Sequence, residues 1–479
     1  MTNLFRKQLD LHFQRSKPFR ALTEAHGQDG AGLRVHGPKG AYLSLAIDRL
    51  HRASKSGASL VIVPTELEAE AIAQDVESFG ASPSVLFPWW GTVGYEGTSP
   101  LASIFGQRVS TLARMPDHDM LVIAPLRAFL TPVPARGYLA DHTVRVKKGQ
   151  KLDPQETAAR LVAAGYLRVP TVSIHGELAV RGEVMDVFIP GHELAVRLTL
   201  DFDTVVTIRR FDPINQGSTE TLEKIDITPC REVILGEEEM GWLTRGLKDQ
   251  GFTDEEVQTT VSRLIEDPEA GGVEMFYPLC FPSPSSLLDY LGPESRVFLV
   301  DEERLLSSAA SLRKEHLELF RRARSKKRIV PGPQRVLLDL PQLLARSRHR
   351  VDFAADAAPQ AINLPSDGPR SFFGNFTFFR EEIEAALKNG YSVFVFAVYD
   401  VQAERLRHIL KDLPVEILPQ SISAGFALPE EKILAVQESE IFGRKRRIPR
   451  SIGTAKSAAI ESFVELTPGD FVVHVNHGI

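Results

Sequence analysis

Eight residues near the amino terminus, Gly37-Pro38-Lys39-Gly40-Ala41-Tyr42-Leu43-Ser44, have the outline of a phosphate-binding loop. Such a loop needs glycines to bend round the phosphates, a lysine to reach them, and a Ser or Thr for Mg²⁺. Gly37, Gly40 and Ser44 fit, but Tyr42 stands where a loop glycine belongs and Leu43 stands where the lysine belongs. Leucine brings no charge to a phosphate, Tyr42 puts a side chain where the backbone must approach, and Lys39 lies at the wrong end of the loop to substitute. The electrostatic clamp on which phosphoryl transfer depends is missing, so no nucleotide cofactor is expected. Leu43 also falls on the apolar stripe of the helix that follows. Asp301-Glu302, at the end of the string RVFLV, has the form of a Walker B pair, an aspartate for Mg²⁺ and a glutamate to orient water. Without a lysine loop opposite, it reads as a relic or an ordinary acidic strand end, and neither is active.

A second candidate is an arginine that would bind rather than catalyse. The string GELAVRGEVMDVFIPG followed by AVRLTLDFDTVVTIRRFDP, within 176–213, is rich in Val and Ile and broken at Arg181-Gly182, Pro190-Gly191-His192 and Asp201-Phe202-Asp203. No helical period runs through it, so it reads as an antiparallel meander. Alternation along a strand sends Leu178 and Val180 to one face and Glu177, Ala179 and Arg181 to the other. Arg181 is expected to face away from the core. A lone outward arginine is ordinarily a solvated strand edge, but a guanidinium also offers five fixed donors to carboxylates or carbonyls. An aromatic neighbour would add desolvated area, the usual makeup of a hot spot.

These residues need scaffolds of two kinds. In the first segment a strand over 32–35, a helix over 41–52, a buried-type strand over 59–64, a helix over 66–79 and the strands SVLFPW and MLVIAP alternate. That alternation implies a parallel sheet covered on both faces. A helix over 154–164 leads into the β-rich meander, and after ITPCREVI the chain turns helical and acidic before the strand over 296–300. We take that strand to complete the first sheet, which makes the β-rich part an insertion through a surface loop of its host. From Phe372 a helix, a strand over 392–398 and a second helix form another small α/β unit. The expected class is thus α/β multidomain: a degenerate phosphate-loop domain, an inserted antiparallel β-rich domain, and a small α/β domain. The expected divisions are 1–132, 133–214, 215–357, 358–442, a basic linker over 443–463, and the start of a further module over 464–479. There Pro468-Gly469-Asp470 opens a strand with no partner, which reads as a truncation with a frayed end.

Composition excludes several classes. At 479 residues the chain is long enough for roughly three domains. A formal net charge of −6 argues against wrapping nucleic acid over the whole surface. Any DNA contact would be local, through the run from Arg321 to Arg328 or through Arg444 to Arg447, and charge runs are usually solvated faces. Cys230 and Cys280 lack metal-ligand spacing and read as buried, inert thiols of a cytoplasmic protein. No apolar run approaches the ~20 residues of a membrane span.

The 176–213 string closely resembles the second domain shared by the excision-repair protein UvrB and the bacterial transcription-repair coupling factors, the Mfd family. Further strings resemble the coupling factors rather than UvrB: SPLASIFGQRVSTLARM over 99–115, SFFGNFTFF with QAERL, ALPEEKILAVQESEIFG, and ELTPGDFVVHVNHGI at the end. The resemblance covers nearly the whole chain and implies the amino-terminal, UvrB-like half of such a factor. It implies a face that docks on UvrA, carried over to Arg181 with Phe188 and Arg168. The family's basic residue lies close to the Gly-Tyr pair, and the spacing Gly165-Tyr166-Leu167-Arg168 leaves it displaced by one position. The final string resembles the opening of an RNA-polymerase-interacting, CarD-like module. UvrB's long DNA hairpin is replaced by WWGTVGYEGTS over 89–99, whose Trp89, Trp90 and Tyr95 are expected in core and lid positions rather than as base-stacking platforms. The family's helicase motor has no counterpart here, since no intact GKT or GKS loop occurs. Recruitment of UvrA without nucleotide hydrolysis by this segment is therefore the expected function. The rivals are an ATPase on a divergent loop and a DNA-binding module.

Overall fold

The computed structural model describes residues 4–442 apart from 26–31, 55–56, 269, 348, 357–360 and 369. The basic linker over 443–463, with Arg444 to Arg447, and the strand expected after Pro468 lie outside the described residues.

The first unit lays down β1 (Leu33–His36), β2 (Ser59–Val63), β3 (Ser84–Leu86) and β4 (Leu121–Pro125), with helices Ala41–Ser54, Glu66–Phe79 and Ala102–Arg114 between them. All five residues of β2 and of β4 are buried, as strands sandwiched between helical layers must be. Thr65 caps the Glu66–Phe79 helix, accepting from Glu68 N at 3.3 Å, the start signal that a Ser or Thr three residues before a Glu encodes.

The chain then leaves this sheet for the β-rich unit. It consists of β5 (Val144–Lys147), the helix Pro154–Ala163, β6 (Leu167–Arg168), β7 (Glu177–Arg181), β8 (Val184–Val187), β9 (Ala195–Asp201), β10 (Thr204–Phe211), β11 (Ser218–Leu222) and β12 (Lys224–Ile227). Six of these strands form one sheet in the order β11-β10-β9-β8-β7-β6, antiparallel except for the β6–β7 pair. β12 returns to pair with β5. Pairing therefore runs on past residue 214, where the sequence division ended this unit. The string STETL of β11 is exposed at four of five positions, so it carries no apolar alternation to announce a strand.

On its return the chain adds β13 (Val297–Val300), β14 (Arg350–Phe353) and β15 (Ile362–Asn363). The first sheet becomes seven parallel strands in the order β15-β1-β14-β13-β2-β4-β3. β15 belongs to this sheet although it follows the division drawn at residue 358; a two-residue strand leaves no periodic trace. The third unit has β16 (Ser392–Phe396), β17 (Val415–Leu418), β18 (Phe426–Leu428) and β19 (Ile433–Gln437), ordered β17-β16-β19-β18 with β18 antiparallel. It is cemented to the first unit by the helix Leu4–Arg15. Phe5 packs edge-on against Phe79 of one unit and Phe394 and Phe396 of the other, at centroid distances of 5.0–5.3 Å, a geometry that aromatic quadrupoles favour.

Candidate functional site

The phosphate loop has the right backbone position, following β1 and opening the helix Ala41–Ser54, but its concavity is filled by the chain itself. Ala41 N donates to Ala424 O at 3.0 Å. A Cβ built on Gly40, at φ +54°, would lie 2.2 Å from Gly425 O, and one on Gly37, at φ +105°, 2.5 Å from Leu364 O. Both glycines are thus required, for packing against protein carbonyls. Lys39 N donates to Ser366 Oγ at 2.9 Å. Tyr42 is buried, its hydroxyl 2.7 Å from His12 Nε2, and His12 Nδ1 is 2.7 Å from Glu431. Leu43 packs against the large core beside the first sheet.

Ser44, the residue that would meet a metal, instead donates its hydroxyl to Asp75 Oδ2 at 2.7 Å. Asp75 also accepts from Ser423 N at 2.6 Å and Ser423 Oγ at 2.7 Å. Burial pushes the Asp75 carboxyl up to about 6, against the pull of these hydrogen bonds. Asp301 caps the helix Glu302–Ser325, its Oδ1 accepting from Arg304 N at 3.0 Å. Glu302 N donates to Asp352 Oδ1 at 3.1 Å. Asp301 therefore serves as the N-cap of that helix, with Glu302 as its first residue.

In the β-rich unit Leu178 and Val180 face a core shared with the helix Pro154–Ala163 and β5. The opposite face carries rows fixed by register: Ala179, Asp186, Arg197 and Arg209, and beside them Arg181, Val184, Thr199 and Thr207. Asp186 is buried and holds three charge-assisted hydrogen bonds, from Arg181 Nη2 at 2.7 Å and from Arg197 Nε and Nη2 at 2.7 and 2.9 Å. Arg197 also donates to Gln216 Oε1 at 2.8 Å and lies over the Phe211 ring at 4.3 Å. Two guanidinium groups on one carboxylate leave this cluster with net positive charge, and Arg181 keeps nearly half its side chain, 48%, in solvent.

Phe188 and Arg168 do not join Arg181 at one spot. Phe188 is 6% exposed, in a small second core with Val172, Ala179, Ala195 and Phe211, and its ring lies under His175 at 4.1 Å. Sequence alternation alone did not disclose this core, because its lid is the irregular segment 169–175. Arg168 is exposed, and its Nη2 donates to Gln155 Oε1 at 3.0 Å, on the helix that covers the inner face. It therefore lies on the side of the sheet opposite Asp186.

The sequence reading missed Arg108, within the string GQRVSTL. Arg108 is wholly buried; it pairs with Glu232 at 2.5 and 3.2 Å, donates to Pro88 O at 2.9 Å, and lies 4.3 Å above the Phe87 ring. Trp90 Nε1 donates to the same Glu232 at 3.0 Å. Trp90 and Tyr95 are buried and Trp89 is half-buried. A Cβ on Gly106 would lie 2.4 Å from Pro190 Cβ, and one on Gly191 2.3 Å from Ser110 Oγ. One helix of the first unit thus seats the Pro190-Gly191 turn and locks the exit of the β-rich unit.

Other expectations fall outside the site. In the basic run, Arg324 lies over Phe252 at 4.7 Å and Arg328 donates to Tyr95 O, while Arg321, Arg322, Lys326 and Lys327 are exposed. Both cysteines are buried, and burial pushes the Cys230 thiol up to about 12. Among the described residues no helix is long and apolar enough to cross a membrane, and no cluster of three or more metal-ligating side chains occurs.

Residues 144–232 match the UvrB interaction domain, which spans β5 to Glu232 and includes the Arg181–Asp186–Arg197 cluster. The chain as a whole is similar to transcription-repair-coupling factors. That of Borreliella burgdorferi is 26% identical over 448 residues, 92% of this chain and 39% of the relative. That of Bacillus subtilis is 27% identical over 461 residues, 86% and 38%, and that of Staphylococcus aureus 23% over 505 residues, 96% and 42%. The chain spans about two-fifths of the length of these curated relatives.

Proposed function

We propose that this chain is the recruitment half of a transcription-repair coupling factor. It presents the outer face of its β-rich unit to UvrA, while the rest of such a factor engages a stalled RNA polymerase. The observation that carries the reading is the Arg181–Asp186–Arg197 cluster, a half-exposed guanidinium held in place on the outer sheet of the UvrB interaction domain. A fixed fork meets a carboxylate or carbonyl with little rotamer entropy left to lose. Replacing Arg181 by Ala should weaken UvrA binding by about 2 kcal/mol or more, as loss of an arginine hot spot does. Titration of purified UvrA against the two forms of the chain checks this, and equal affinities would remove Arg181 from the interface.

The same reading has this segment bind no nucleotide and bind duplex DNA weakly or not at all, with the cytoplasm as its place of work. The expected lack of nucleotide binding is supported by the occupation of the phosphate-loop concavity by the carbonyls of Leu364, Ala424 and Gly425. A fluorescent ATP analogue with Mg²⁺ is expected to show no saturable binding to the chain. A saturable isotherm, competed by ATP, would overturn that part.

A further inference from the structure

Phe202 breaks two rules at once. It occupies the first position of the two-residue turn between β9 and β10, at φ +56°, and its side chain is 87% exposed. Positive φ at such a turn is the place of Gly, Asn or Asp, and a bulky residue there is strained. An exposed phenylalanine also forgoes the burial that ordinarily stabilises it by about 1.5–3 kcal/mol. Neither choice serves the fold, and the turn shows no looseness that would make both harmless. Leu152 N donates to Asp203 O at 2.7 Å, Val205 N to Gln150 O at 2.9 Å, and Lys151 Nζ lies 3.0 Å from Asp203 Oδ2. The ring therefore sits on a braced tip.

That tip lies at the Arg181 end of the sheet. The turn following Arg181 is tied to β9 by Leu200 N donating to Glu183 O at 2.7 Å, and Arg181, Val184 and Thr199 share one row. From strand spacing and rise, Arg181 and Phe202 are about 14 Å apart along the surface. A standard interface covers about 800 Å² on each partner, so both fit within one footprint. Phe188, by contrast, is buried under His175 at the other end.

Resting on the docking reading above, we infer that Phe202 is the aromatic anchor of the UvrA-binding surface, inserting into an apolar pocket on UvrA beside the acidic group that receives Arg181. Rigid presentation of a large ring is what binding rewards, since little freedom remains to be lost. Folding gains nothing from it.

The decisive measurement uses the full 479-residue chain, purified UvrA, and the variants Phe202→Gly and Arg181→Ala, with affinity and thermal unfolding recorded for each. Phe202→Gly is expected to weaken UvrA binding tenfold or more while leaving the unfolding temperature unchanged or raised, because glycine relieves the turn. If Phe202→Gly binds as the parent does while Arg181→Ala is weakened, the anchor assignment falls and the docking reading stands. Unchanged affinity in both variants removes the docking face and the anchor with it. A clear drop in unfolding temperature for Phe202→Gly would show that the ring serves the fold, which also overturns the inference.

Discussion

Arg108→Ala should destabilise the chain by about 3–5 kcal/mol, the loss that follows when one partner of a buried ion pair is removed. Arg108 and Glu232 are 0% and 1% exposed, so the truncation strands a carboxylate whose remaining donor is Trp90 Nε1. The guanidinium's packing over Phe87 and Trp90 goes as well. The effect should appear in urea as earlier loosening of the β-rich unit, because Glu232 lies just past β12 and the Arg108 helix seats Pro190-Gly191. A paired variant, Arg108→Leu with Glu232→Leu, should recover part of the loss, since no uncompensated charge remains. An unchanged urea midpoint for Arg108→Ala would contradict the buried clamp.

The second large effect is expected at Gly40. Replacing it by Ala puts a Cβ where the Gly425 carbonyl oxygen lies 2.2 Å away, on a backbone at φ +54°. Backbone cannot rotate aside as a flexible side chain does, so the third unit must shift off the loop. Overpacking and left-handed strain together should amount to about 2–5 kcal/mol. Gly149→Ala is the matched control, with φ +80° and nothing within 4 Å of its Cβ, so it carries the backbone strain alone. Thermal unfolding and protease susceptibility of the two variants separate the contributions. Equal behaviour would mean that residues 424–425 do not fill the loop.

Three features of the site can be read from residue types. That Arg181 and Leu178 lie on opposite faces follows from alternation alone, and so does the apolar fit of Leu43 to its helix. The loss of the phosphate-loop lysine is equally visible in the string. What fills the loop is not: Ala424, Gly425 and Ser423 come from more than 370 residues away, and no local pattern encodes the meeting. Asp75 is likewise unremarkable in sequence and becomes the junction of Ser44 and Ser423 in space. The burial of Phe188 is hidden too, because a strand end gives no hint that the segment 169–175 will fold over it. Phe202 had the opposite fate, marked only as part of a turn, since its exposure depends on which way the hairpin tip faces.

From its residues alone the chain was bound to form a parallel sheet interrupted by an antiparallel insertion, and to lack the cation a phosphate clamp needs. Periodicity and the types of side chain present are properties of the sequence itself, whatever packs against them. Which carboxylate meets Arg108, and which carbonyls occupy the phosphate loop, were settled only when distant segments packed. Those are questions of distance and desolvation between groups far apart in sequence, and a one-dimensional pattern carries no record of them.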